Sequence, residues 1–207
     1  LKKWLALVVA LALSGCISVG IGGDVPAMAQ YRMYDGNAGV SQRAEPLVPA
    51  LLLQPLAADA LADTLSIAYS RRANEFAFYQ LASWTERPVR RVPHLLQQRL
   101  QARGVAGAVG LIGDPLRADW LLTIGIDTLH HDLSTPPGQA RVALTAELFD
   151  RRNRVRIARH RFEASVPTQT ADSAAAAASM SLALGQTFDA LVPWLEAELA
   201  VAAPKRP

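Results

Sequence analysis

Three kinds of residue in this chain have types and spacings that could do chemistry: two adjacent histidines followed by aspartate, a scatter of tryptophans, and a single cysteine. His130-His131-Asp132 offers the imidazole and carboxylate groups that hold zinc. Neighbouring residues on a strand point to opposite faces, however, so His130 and His131 would not readily share one ion. A strand end running into the loop 134–138 explains the cluster as well, and no metal site is expected. His94 and His160 have no partner at ligand spacing and read as polar surface positions. Trp84, Trp120 and Trp194 could line an apolar groove, yet each falls where a core would want it, and core packing is the expected role. Nucleophilic and phosphate chemistry lacks a frame. The sequence has no Gly-x-Ser-x-Gly turn, no Walker loop, no Gly-x-Gly-x-x-Gly and no His-Glu-x-x-His. No catalytic residue, cofactor or metal is expected, and the chain reads as a non-enzyme.

The cysteine differs, because everything before it is ordered. Leu1-Lys2-Lys3-Trp4 is followed by the unbroken apolar run 5–13 and then by Ser14-Gly15-Cys16. That is the sequence of a charged region, an apolar region and a small-residue cleavage site in a secretory signal. Nine apolar residues rise only ~14 Å as a helix, well short of a bilayer's ~30 Å of hydrocarbon. The block Leu13-Ser14-Gly15-Cys16 resembles the bacterial lipobox at every position. That resemblance implies diacylglycerol on the Cys16 sulfur, cleavage of residues 1–15, and acylation of the new amino group. Several acyl chains, each CH₂ contributing ~0.8 kcal/mol when buried, hold a protein stably on its membrane. Ile17 and Ser18 follow the cysteine. An aspartate in the first of these places would be the familiar inner-membrane retention signal of Gram-negative lipoproteins; its absence points to the periplasmic face of the outer membrane in such a host.

Once residues 1–15 are removed, 192 of the 207 remain, a length that suits one domain with a full core. The net charge of +3 includes Lys2 and Lys3, so what remains carries about +1. The densest basic stretch, 151–161, interleaves Val155, Ile157 and Ala158 as a strand would. It reads as a solvated strand face more readily than as a nucleic-acid surface, with contact to anionic head groups as a weaker form of the same idea. Cys16 is the only cysteine, so lipidation leaves no thiol for a disulfide.

Elements that must carry these residues follow from periodicity. Residues 16–30 are rich in glycine and small residues and read as a lipidated flexible tether. Residues 31–34 alternate as a short strand, 47–56 form a second, and 65–69 with 75–81 form an antiparallel pair. A helix ends near Arg103, with Val89, Val92, Leu96 and Leu100 on one stripe and Gly104 as its left-handed cap. Pro88 and Pro93 cannot both lie in an unbroken helix interior, so this helix is expected to start late or to kink. Residues 108–112 read as a short strand. In 119–129 the residues Trp120, Leu122, Ile124 and Ile126 share one face; 141–149 alternates likewise, and 150–153 turns into 154–164. This predicts an antiparallel meander. Finally 172–199 is an alanine-rich helix capped by Asp172 or Ser173, with Met180, Leu184, Phe188, Leu191 and Leu195 on one stripe. Pro193 is expected to bend it or end it early. The sum is a single α/β or α+β domain over 31–201, a mixed, mostly antiparallel sheet with two main helices packed on it, and a tail at 202–207.

In their order, several landmarks resemble the ABC-type transport auxiliary lipoprotein family, the group that includes Pqi-type outer-membrane lipoproteins. They are Tyr31-Arg32-Met33 after the tether, Leu51-Leu52-Leu53-Gln54-Pro55-Leu56, and 65–72 leading through Phe78-Tyr79 to Trp84-Thr85-Glu86-Arg87-Pro88. Ala118-Asp119-Trp120-Leu121-Leu122, Ala146-Glu147-Leu148-Phe149-Asp150 and the alanine-rich closing helix complete the series. Thr85 departs from the pattern, where alanine is usual, as does the proline-interrupted first helix. The resemblance implies a membrane-anchored accessory part of an envelope transport machine. An ABC permease and ATPase would supply energy, an MCE-domain protein would carry lipid or another hydrophobic cargo, and this chain would dock that pathway to the outer membrane. Self-association into a homo-oligomer is compatible with that role. The alternative is a stand-alone outer-membrane assembly or structural lipoprotein that binds a β-barrel protein or the cell wall. A periplasmic enzyme with an unrecognised site is a third reading.

Overall fold

Apolar alternation in the second half of the chain builds the centre of the molecule. A computed structural model describes residues 27–36, 41–57 and 59–203. Cys16, the signal peptide over 1–15, the tether as far as residue 26 and the tail from 204 lie outside the described residues. In chain order the elements are β1 (Ala29–Tyr31), β2 (Val48–Pro55), β3 (Ser66–Arg72), β4 (Glu75–Trp84), α1 (Pro88–Arg103), β5 (Ala106–Leu111), β6 (Trp120–Asp132), β7 (Gln139–Asp150), β8 (Val155–Pro167) and α2 (Ser173–Ala202). Trp120, Leu122, Ile124 and Ile126 of β6 are buried on one face, as their alternation requires. An irregularity between Ile126 and Thr128 then shifts the register, so that Leu129 and His131 become the next buried residues. Pairings from Trp120↔Asp150 to Asp132↔Gln139, and from Asp150↔Val155 to Gln139↔Pro167, make the predicted meander β6–β7–β8.

The other edge of β6 is shared by two strands in succession. β2 runs parallel to its first part, from Leu51↔Trp120 to Pro55↔Ile124. β3 runs parallel to its end, at Tyr69↔His131 and Ser70↔Asp132. β5 then flanks β2, while β4 and β1 extend the sheet beyond β3. The sheet is therefore mixed, with its longest ladders antiparallel and its shorter joins parallel. β2 is apolar on both faces because both are covered: Leu51 and Leu53 join the main core, and Ala50 and Leu52 pack against Leu116 and Ala118.

Both helices bury their stripes in the main core, on one face of the sheet. α1 starts at Pro88 itself rather than later. The proline occupies the first position, where a missing N–H removes no helix bond; Pro93 lies inside. Gly104 caps it at φ 72°, its N–H reaching Gln101 and Leu100. Asp172 caps α2 by accepting from the Ala175 N–H. α2 does not end early: it runs through Pro193 to Ala202. Leu191, Leu195 and Leu199 are fully buried on either side of the proline, and that packing holds the last turns despite the lost bond. At the other end of the domain, β1 takes Ala29 and Gln30 out of the expected tether and ends at Tyr31, so 32–34 are not strand.

Arg99 pins these layers together. Its guanidinium donates to both carboxylate oxygens of Asp35, just after β1, and to Asp189 of α2 at 2.5 Å. A buried guanidinium is tolerated when its N–H groups meet carboxylate acceptors, and here the acceptors come from two different elements. One turn on, Arg103 grips Glu196 of α2 at 2.7 Å.

Candidate functional site

The strand directions give the sheet two distinct ends. Where β6 begins lie the start of β2, the β7–β8 turn and the end of α2. Where β6 finishes lie the β3–β4 turn, the β6–β7 loop and the start of α2. β1 is parallel to β4, with Ala29↔Ala82, so residues 27 and 28 approach from the side of the β3–β4 turn.

At that second end sits the histidine cluster. β6 continues through Asp132, so His130 and His131 lie within the strand rather than past its end, and they do face opposite ways. His130 is half-buried, edge-on to Phe76 at 5.2 Å. His131 is fully buried. The Tyr79 hydroxyl donates to its Nδ1 at 2.8 Å, and its Nε2 lies 3.0 Å from the Thr168 hydroxyl and 3.2 Å from the Pro137 carbonyl. Thr168 donates to that same carbonyl at 2.7 Å. A carbonyl can only accept, which fixes the hydrogen on Nε2 and leaves Nδ1 to accept from tyrosine. Burial holds His131 below the ordinary 6.5, and burial together with the Asp172 carboxylate pushes Tyr79 up to about 12. The ring is a neutral latch joining β4, β6, the loop 133–138 and the approach to α2. Gly138 crosses it so closely that a Cβ would lie 2.7 Å from Nε2 and 2.5 Å from the Asp132 carbonyl, at φ 97°. Among the described residues no three His, Cys, Asp or Glu side chains are grouped to hold a metal.

Sequence reasoning missed Tyr79 and Thr168, whose partnership with His131 spans 52 and 37 residues and leaves no local signal. Trp84 and Trp120 are core residues, as expected. Trp194 is half-buried against Phe162. His94 is exposed; His160 is exposed too, but its ring lies on Phe162 at 4.7 Å. The basic stretch is a strand face whose arginines meet carboxylates. Arg156 and Arg159 share Glu147, each at 3.3 Å, and Arg161 reaches Asp127 and Glu163. These pairs lie on the face of the sheet that carries no helix.

At the fork of the sheet, Asp59, Phe76, Asp127 and His130 border a cavity of about 100 Å³. That holds a few water molecules, whereas ligand sites begin at ~300 Å³. A larger hollow, about 520 Å³, opens at the end of the sheet where β6 begins. Leu47, Pro49 and Ala202 line it with Trp120, and Asp119, Asp150 and Arg152 set a polar rim. An apolar floor with a charged border suits a protruding side chain of a protein partner.

The family model for the ABC-type transport auxiliary lipoprotein component matches residues 31–192. A crystal structure of protein XCC0632 from Xanthomonas campestris, of the family DUF330, superposes with a TM-score of 0.73 at 22% identity. It covers 82% of this chain and 96% of its own. The crystal structure of an uncharacterised protein gives a TM-score of 0.63 at 12% identity, covering 82% and 99% of the two chains. Such similarities establish a shared fold. No curated protein matches the chain.

Proposed function

The chain belongs to the family of ABC-type transport auxiliary lipoprotein components, and from that premise we propose that it docks an MCE-type lipid pathway to the outer membrane. Membership makes it an envelope lipoprotein associated with an ABC transport system, in a family that is not one of enzymes. The finer reading adds an anchor on Cys16, the periplasmic face of the outer membrane as the address, an MCE-domain protein as partner and a hydrophobic cargo. One observation carries it: the hollow floored by Trp120 lies at the opposite end of the sheet from the side on which the chain approaches β1. A domain tethered from one end and hollowed at the other offers the hollow to a partner arriving from across the periplasm.

The test is a photo-crosslinking residue placed at Asn153, on the rim of the hollow, in the full chain expressed in its host. Recovery of an MCE or ABC component supports the proposal. Recovery of a β-barrel protein or of peptidoglycan in its place overturns it, in favour of a stand-alone assembly or structural lipoprotein.

A further inference from the structure

The β3–β4 hairpin lies at the end of the sheet from which residues 27 and 28 approach, and its composition is unusual for a water-facing turn. Phe76 and Phe78 alternate with Ala77 and Tyr79 and are each 43% exposed. Leu81 and Met28 are more exposed still, at 54% and 57%. Met28 directly precedes Ala29, which pairs with Ala82, so these two side chains belong to the same border of the sheet. The turn itself is basic. Arg71 lies over the Tyr69 ring at 5.1 Å, and Arg72 faces Glu75 in an exposed pair at 3.6 Å. Asn74 closes the turn at φ 62°. Exposed aromatic and long apolar side chains next to arginines are the composition of a segment at a bilayer interface, with rings at the acyl boundary and guanidinium groups among phosphates.

The length of chain ahead of β1 decides what covers this border. Twelve residues lie between Cys16 and Ala29, and a tether of that length, as proposed, would have an r.m.s. reach of ~20 Å. From Ala82, beside Ala29, back to Glu75 at the hairpin tip is seven strand residues, or ~23 Å. The typical reach of the tether and the overhang of the hairpin are therefore the same length. With the lipid on Cys16 in the bilayer, a tether of that reach lets the hairpin tip touch the bilayer surface.

We infer that the β3–β4 hairpin is a second membrane contact, in which Phe76 and Phe78 enter the lipid interface and Arg71 and Arg72 meet phospholipid phosphates. It rests on the anchor proposed above and adds orientation to it. The domain is held upright, with the hollow at Trp120 pointing away from the membrane.

Cys16 is the only cysteine, and lipidation consumes its sulfur, so an introduced cysteine is a unique thiol in the mature lipoprotein. Phe78→Cys carrying an environment-sensitive fluorophore, in the full lipidated protein reconstituted into phosphatidylethanolamine and phosphatidylglycerol vesicles, should show blue-shifted emission and quenching by lipid-borne nitroxide. Asn153→Cys, at the opposite end, should stay water-like. Adding Arg71→Glu and Arg72→Glu to Phe78→Cys should return the emission toward that of Asn153. Equal, water-like emission at 78 and 153 in membrane-bound protein overturns the hairpin contact and leaves the anchor standing. Maleimide labelling of Cys16 in the parent protein overturns the anchor, and the hairpin contact with it.

Discussion

At the scale of single residues, the histidine pair shows how one strand gives adjacent identical side chains opposite fates. His131 is sealed among Tyr79, Pro137 and Thr168, and His130 leans on Phe76. Burial lowers both below their ordinary value. The folded domain therefore binds these protons less readily than the unfolded chain does. Stability from this source is complete above the unfolded value of about 6.5 and is lost as pH falls below it, toward the lower folded values. The carboxylates held low, Asp132 and Asp172, act in a more acidic window, below the ordinary 3.8. Titration followed by NMR should find the His131 midpoint below 6.5, with hydrogen on Nε2 in the neutral ring, and thermal unfolding should move to lower temperature as pH falls below that value. A His131 midpoint at or above 6.5 would contradict the latch.

At the scale of elements, α2 is the place where local chemistry and tertiary packing disagree. Pro193 has no N–H to offer the Asp189 carbonyl, yet the helix continues for nine residues beyond it to Ala202. Pro193→Ala restores the donor at an exposed position. It should raise stability by about 2 kcal/mol, the helix gain of ~3 being offset in part by a more flexible unfolded chain. A urea unfolding midpoint that falls would show that the Arg99–Asp189 contact depends on the interrupted turn. The same helix shows what the sequence makes legible. Its cap at Asp172 and its stripe from Met180 to Leu195 are local patterns, and both are where they were expected. So are Gly104 and the β6–β7–β8 meander, each set by neighbours within a few residues or across a short turn. The fork at β6 was not legible, because a parallel pairing between distant strands leaves no turn signal. Nor was the hollow at Trp120, which is assembled from β2, β6, the β7–β8 turn and the end of α2. Cys16 lies outside the described residues, and its proposed role rests on a signal in the sequence that is wholly local.

At the scale of the molecule, three strands of the described residues, β1, β5 and β8, have a single partner each, and one of them leaves by far the longest open edge. That edge is β8, paired only with β7 and lined by Arg156, Arg159 and Arg161. Charges on an edge strand oppose uncontrolled pairing with another sheet. The proposed anchor makes a prediction here, since everything about orientation depends on it. Cys16→Ala should yield an uncleaved or soluble species that no longer fractionates with membranes, and palmitate labelling should vanish; labelling that persists would place the anchor elsewhere. The fork has a consequence in time as well as in space. Leu51 pairs with Val109 on one side and needs Trp120 on the other, and Tyr69 pairs with Ala77 on one side and needs His131 on the other. For a chain delivered through a membrane N-terminus first, the early strands emerge while their common partner is still on the other side. Closing such long loops is slow until that partner arrives. Under the proposed export, the β3–β4 hairpin and the β2–β5 pair can form on their own, while the single sheet closes only when β6 has come through.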